Sequence, residues 1–108
     1  MSNGFTQIKE KILLNEGTYS NVSLQARYLL MVLINRQTYH IDKDGNLMWF
    51  FCRMAWLSEV LGVKRNQIYK YKKELEQYGI IETKVERDEK KQKVTYFRVN
   101  SKCLVSHT

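Results

Sequence analysis

Long apolar runs are missing from this chain. The longest, residues 28–34, covers seven positions, far short of the roughly 18 or more that a membrane-spanning helix requires. No apolar core of a secretory signal stands near the start, so a cytoplasmic protein with no membrane partner is expected. Cysteine is scarce: Cys52 and Cys103 lie far apart, without C-x-x-C spacing or a histidine at ligand distance. That excludes the common zinc patterns and leaves reduced, packed thiols. Histidine is equally scarce, and a relaxase or replication endonuclease wants clustered metal-binding histidines beside a tyrosine, whereas His40 and His107 are isolated. Tyr69, Tyr71 and Tyr78 are conceivable nucleophiles. Their helical spacing accounts for Tyr71 and Tyr78 as core and Tyr69 as surface, so no catalysis is expected. The DKDG segment lacks what a calcium loop needs: with Gly45 at loop position 6, His40 would be the first ligand and Phe51 the closing one. Neither metal nor cofactor is therefore expected, and Asp44-Gly45 between two aromatic runs reads as the turn of a small hairpin.

What is present is basic charge, unevenly spread. The 108 residues carry a net charge of +7. Residues 1–63 hold six Lys/Arg against five Asp/Glu, while residues 64–98 hold eleven against six. A 44% hydrophobic content over this length supports one core and one domain, residues 1–108. A positive field confined to one part of a small domain points to nucleic acid, with an anionic membrane surface as the weaker alternative.

The stretch 54–81 organises the rest. Leu57, Val60 and Leu61 form an apolar stripe on a short helix that Gly62 ends by taking the left-handed conformation, and Val63 plugs the corner. In a second helix Ile68, Tyr71, Leu75 and Tyr78 recur at spacings of three and four and face inward, with Gly79 as the stop. At about 100° per residue, Asn66, Tyr69, Lys70, Lys73 and Gln77 fall on the outer half, with Arg65 and Lys72 flanking the buried stripe. Five of the ten residues 64–73 are basic and none is acidic. A merely solvated helix mixes signs to gain pairs four residues apart, so this surface faces phosphate. Such a helix-turn-helix is a DNA-reading device.

The other segments support it. Ser23 is the expected N-cap of a helix over 24–37. Its run 28–34 is apolar all round and is expected to sit in the core or to pair two copies as a homodimer. Trp49, Phe50 and Trp56 are expected in the core. Residues 5–14 offer Phe5, Ile8, Ile12 and Leu13 for a short packed segment, and Leu104 and Val105 offer a terminal contact. After Gly79 the period changes: residues 80–87 and 93–99 read as two strands around a charged tip. Helix, helix and hairpin in this order define an α+β fold, a winged helix-turn-helix of three or more helices with a C-terminal β-hairpin wing.

Phe5 through Ile8, VSLQARYLLMVLINR, IDKDGNLMWFF and LSEVLGVKRNQIYKYKKELEQYGIIE together resemble the N-terminal winged-helix domain of replication-initiator proteins from plasmids and phages of low-GC Gram-positive bacteria. The resemblance covers most of the chain and implies origin-type binding of double-stranded DNA through the helix after Gly62 and the wing. Related winged helices serve as transcription regulators and as conjugation accessory proteins at a transfer origin, so replication or relaxosome proteins are the implied partners. Those initiators usually continue into further domains. A chain that stops after the wing is not expected to be a self-sufficient initiator. Lys64 and Lys72 stand where such motifs have a capping hydroxyl and an apolar residue, which would shift the helix start so that Asn66 caps it.

The expected contacts divide by chemistry. Lys70 and Lys73 with Lys90, Lys91 and Lys93 of the wing displace counterions from phosphates, Lys64 stands with them on the DNA-binding helix, and the wing tip, Arg87 included, reaches the neighbouring minor groove or backbone. Arg65, Asn66 and Gln67 meet base edges, and Tyr69 a thymine methyl or a phosphate. A protein-interaction adaptor is the rival class, with Glu74, Glu76 and Glu82 as its partner surface.

Overall fold

Ser23 begins the first helix and at the same time ties it to a later one. The computed structural model describes residues 21–100, and the expectations for residues 5–14, Cys103, Leu104 and Val105 lie outside them. Helix α1 spans Leu24–Gln37, and the Ser23 hydroxyl accepts from the Ala26 N–H at 3.2 Å. The same hydroxyl donates to Glu74 Oε1 at 2.9 Å, and the Ser23 N–H donates to Glu74 Oε2. The expected cap is present, and its second bond welds the helix start to a residue 51 positions away.

Strand β1 (Phe50–Phe51), helix α2 (Met54–Leu61), helix α3 (Arg65–Gln77) and strands β2 (Ile81–Arg87) and β3 (Lys93–Val99) follow. The antiparallel sheet has the order β1-β3-β2, with Phe50 opposite Phe97 and β2 opposite β3 from the pair Ile81–Val99 to the pair Arg87–Lys93. Three helices and a C-terminal hairpin reproduce the expected winged helix-turn-helix. Ahead of β1, Ile41 and Leu47 form an isolated bridge, and the Asp42 carboxylate accepts from the backbone of Asp44 and Asn46, so the turn around Gly45 is a small hairpin.

The core gathers Leu29, Leu30, Leu33 and Ile34 of α1 with Leu57, Ile68, Leu75, Ile80 and Phe97. Helix α1 packs on α3, β3 and α2, so the apolar run is largely consumed within this chain. Tyr28 is the departure, at 54% exposure. Two further expectations about the core fail. Trp56 is 37% exposed with the Arg36 guanidinium 5.4 Å from its ring, and Trp49 is only half-buried with two cations against it. Both rings exchange apolar burial for a cation, which an aromatic at the domain surface can do because its face carries negative potential. Cys52 is a buried free thiol; burial pushes its pKa up, opposed by the nearby Arg36 charge.

Gln37 is the buried polar residue among those described, with no exposed surface. Its Nε2 donates to the carbonyls of His40 (3.0 Å) and Met48 (2.9 Å), and its Oε1 accepts from the Val99 N–H at 2.9 Å. Extending the β1 register would set Met48 opposite Val99, but the ladder stops at Phe50. The Gln37 amide fills the gap, bonding both strands where they no longer reach each other.

Candidate nucleic-acid interface

The turn that aims α3 is built from backbone bonds. Gly62 adopts φ 68°, and its N–H reaches the Glu59 carbonyl while the Val63 N–H reaches that of Ser58 at 3.2 Å. This pair of bonds is the Schellman arrangement, and it requires the left-handed conformation that glycine adopts without strain. The Ser58 hydroxyl donates to the Val63 carbonyl and locks the corner from the other side. Leu57 is fully buried under it, whereas Val60, expected on the same stripe, is 49% exposed. On a helix of eight residues ending at the turn, only one face reaches α3 and α1.

Helix α3 starts at Arg65, with Lys64 as the N-cap residue. The anticipated shift of the start to Asn66 does not occur. Gln67 Oε1 accepts from the Lys64 N–H at 3.1 Å, the reciprocal half of a capping box, so the missing cap hydroxyl is partly replaced from within the helix. Gln67 thereby has a structural duty beside its candidate reading role, and Asn66 stays exposed in the first turn.

Ile68, Tyr71 and Leu75 face inward, while Tyr78, expected with them, is exposed as the cap residue where the helix ends. A second Schellman pair closes this end: Gly79 N–H to Glu76 carbonyl and Ile80 N–H to Leu75 carbonyl, each 3.0 Å. Lys64, Arg65, Asn66, Tyr69, Lys70 and Lys73 are all exposed. Among the described residues none of the four cations in that group forms an ion pair; the three pairs are Lys72–Glu76, Lys84–Glu86 and Arg98–Glu82. Lys72 is thus a helix-internal partner and not a free charge.

The carboxylates suggested as an adaptor surface each have a partner within the described fold. Glu74 holds the Ser23 cap, Glu76 pairs with Lys72 and accepts from the Thr83 hydroxyl, and Glu82 binds Arg98. No sequence signal marks these long-range partners.

The wing tip, residues 88–92, is ordered by its own bonds. Asp88 Oδ1 accepts from the N–H groups of Lys90 and Gln92, both at 2.9 Å, and Lys91 takes φ 63°. Arg87 donates to the Lys91 carbonyl at 2.8 Å, so it shapes the tip as well as charging it. Lys90, Lys91 and Lys93 are exposed. A lysine in the left-handed region carries a backbone cost of about 1 kcal/mol that glycine or asparagine would avoid. A charge is therefore held at the tip against local preference.

Residues 4–106 match a family described as the replication initiator protein A (RepA) N-terminus, RepA_N. A solved structure described as the N-terminal domain of a DNA-binding protein is similar to this chain at TM-score 0.57 and 26% identity, covering 80% of this chain and 68% of that one. A Rep–DNA complex matches at the same TM-score, identity and coverage. An MDR initiator matches at TM-score 0.60 and 24% identity over 83% of this chain and 71% of that one, a likeness of fold. No curated protein matches the chain.

Proposed function

The chain belongs to the family of replication initiator protein A (RepA) N-termini, and from that premise we propose that it recognises a specific double-stranded DNA sequence at a plasmid or phage replication origin in the cytoplasm. The observation that carries this reading is the state of the cations. Lys64, Arg65, Lys70 and Lys73 stand exposed and without carboxylate partners among the described residues, on a helix aimed by the Gly62 turn. Elsewhere Lys72 of α3 and Lys84 and Arg98 of the sheet are paired with carboxylates. Charges left unpaired on one surface are available to replace counterions on phosphate.

Lys70 and Lys73 with Lys90, Lys91 and Lys93 set affinity through the backbone. Arg65 and Asn66, in the first turn of α3, reach base edges, as does the free amide nitrogen of Gln67, whose oxygen is occupied by the Lys64 N–H. Tyr69 contributes apolar or phosphate contact beside them. The domain binds without cutting; cleavage of supercoiled plasmid in magnesium would overturn that part.

Fluorescence anisotropy with a duplex selected from random sequence tests the rest. Arg65→Ala should cost about 1 to 3 kcal/mol on the selected site only, whereas Lys73→Ala should weaken selected and random duplexes alike and reduce the salt slope by about 1. Equal fractional losses on both duplexes for both variants would refute sequence reading by α3. Absence of salt-dependent binding at low ionic strength would refute the DNA interface and favour an adaptor.

A further inference from the structure

The face of the sheet turned away from the core carries aromatic rings and cations that the duplex interface does not use. Strand register sets them in two rows. Phe51, Tyr96 and Lys84 lie directly across from one another on β1, β3 and β2, and Arg98 lies opposite Glu82 one step along. Trp49, two residues before Phe51, continues the outward alternation and brings its ring beside the second row, with the Arg98 guanidinium 4.5 Å and the Lys84 ammonium 4.7 Å from its centroid. Phe51 meets Tyr96 edge to face at 6.1 Å and is 48% exposed.

The core offers no reason for this arrangement. Phe50 and Phe97, on the opposite face of the same strands, are buried and complete the packing. A strand residue facing water needs no ring, yet here three rings and two cations converge on one side of a short sheet. Charged partners do not consume the cations either. Lys84 and Arg98 pair with Glu86 and Glu82 at 3.3 and 3.0 Å, but these are solvent-facing pairs of low worth that a phosphate can replace. Arg53, the N-cap residue of α2 two positions after Phe51, is exposed and has no ion pair among the described residues.

We propose that this sheet face binds single-stranded DNA, with Phe51 as the stacking ring for an unpaired base, Tyr96 and Trp49 as its aromatic floor, and Arg53, Lys84 and Arg98 as phosphate contacts. Chemistry separates this ligand from a duplex. Paired bases present only their edges, while an unpaired base presents a π-face that rings on an open sheet stack against, whatever its identity. A domain that holds duplex through α3 and the wing, and a single strand through the sheet, would grip both the closed and the opened form of the DNA it acts on. The inference rests on the DNA-binding reading only for the class of ligand.

The test uses the full chain in a Trp56→Phe background, which leaves Trp49 as the sole tryptophan. Titration with an oligo-dT of about 20 nucleotides should quench Trp49 fluorescence to saturation at low salt. Phe51→Ser should weaken oligo-dT binding about ten-fold, the loss expected of one stacked base. Lys84→Gln should weaken it less and reduce its salt slope, and both variants should leave binding to the selected duplex within about two-fold, since neither touches α3 or the wing tip. Phe51 is half-exposed, so its variant should keep the parent circular dichroism. Three outcomes would overturn the proposal: no quenching at low salt, equal loss of oligo-dT and duplex binding on Phe51→Ser, or a concentration-dependent mass increase that Phe51→Ser abolishes, which would make this face a contact between copies. Loss of oligo-dT binding with duplex binding intact removes this inference alone; loss of duplex binding in the parent removes the function proposed above.

Discussion

Replacing Gln37 by methionine keeps the length and approximate volume of the side chain and deletes three hydrogen bonds at a position with no exposed surface. The three partners do not suffer equally. The His40 carbonyl also accepts from the Met48 N–H at 2.9 Å and keeps that bond. The Met48 carbonyl and the Val99 N–H have no second partner within the described fold, because the β1–β3 ladder has already ended at Phe50. Each buried backbone group left unsatisfied costs about 1 to 3 kcal/mol. The buried Val99 N–H and the part-buried Met48 carbonyl together place the expected loss at about 2 to 6 kcal/mol, a large share of the ~5 to 15 kcal/mol that holds a small domain together. Urea unfolding followed by circular dichroism should show a lower midpoint at unchanged slope, and hydrogen exchange should show the Val99 amide losing protection. Gln37→Glu supplies a second reading. It keeps an oxygen for Val99 but sets a carboxylate against two carbonyls, which raises its pKa in the folded state above the unfolded value. Its relative stability is then present below the unfolded pKa and lost as pH rises through the folded one. A Gln37→Met protein within about 0.5 kcal/mol of the parent would refute the clamp.

Three other perturbations test separate parts of the fold. Lys91→Gly relieves the left-handed strain at φ 63° and should leave stability unchanged or raised by up to about 1 kcal/mol while weakening duplex binding; a less stable protein would refute the strain assignment. Asp42 is held below its ordinary 3.8 chiefly by the bonds from Asn46, so the turn 42–46 gains from the ionised form above that value and loses the gain as pH falls through the folded pKa. Its NMR titration should have a midpoint under 3.8, and a midpoint at or above it would contradict the turn geometry. Cys52, buried and with its thiol pushed up by burial, should resist alkylation in a Cys103→Ser background at a rate set by unfolding, so fast labelling of the folded protein would place it at the surface.

Local rules carried much of this protein. Ser23 as a cap, Gly62 and Gly79 as left-handed stops, the 24–37 helix and the two wing strands all depend on residues within about one turn of each other. The inward stripe Ile68, Tyr71 and Leu75 and the outward basic set follow from helical period alone. Reading from period failed where an element ended: Val60 and Tyr78 obey the spacing yet lie at helix ends, where they stay 49% and 40% exposed. It failed also for Trp49 and Trp56, because size predicts burial while only the neighbouring strand or helix supplies the cation that makes exposure acceptable.

The sequence by itself determined the element order, the turn that aims α3 and the basic character of the α3 and wing surfaces, since each arises from contacts between near neighbours along the chain. Tertiary structure alone decided which charges are free and which polar groups are structural. Glu74 became the anchor of the Ser23 cap, Gln37 the bridge between Met48 and Val99, and Arg98 the partner of Glu82. The physical reason is that pairing is a property of position in space. A carboxylate or amide looks the same in the sequence whether folding brings it a partner or leaves it to water.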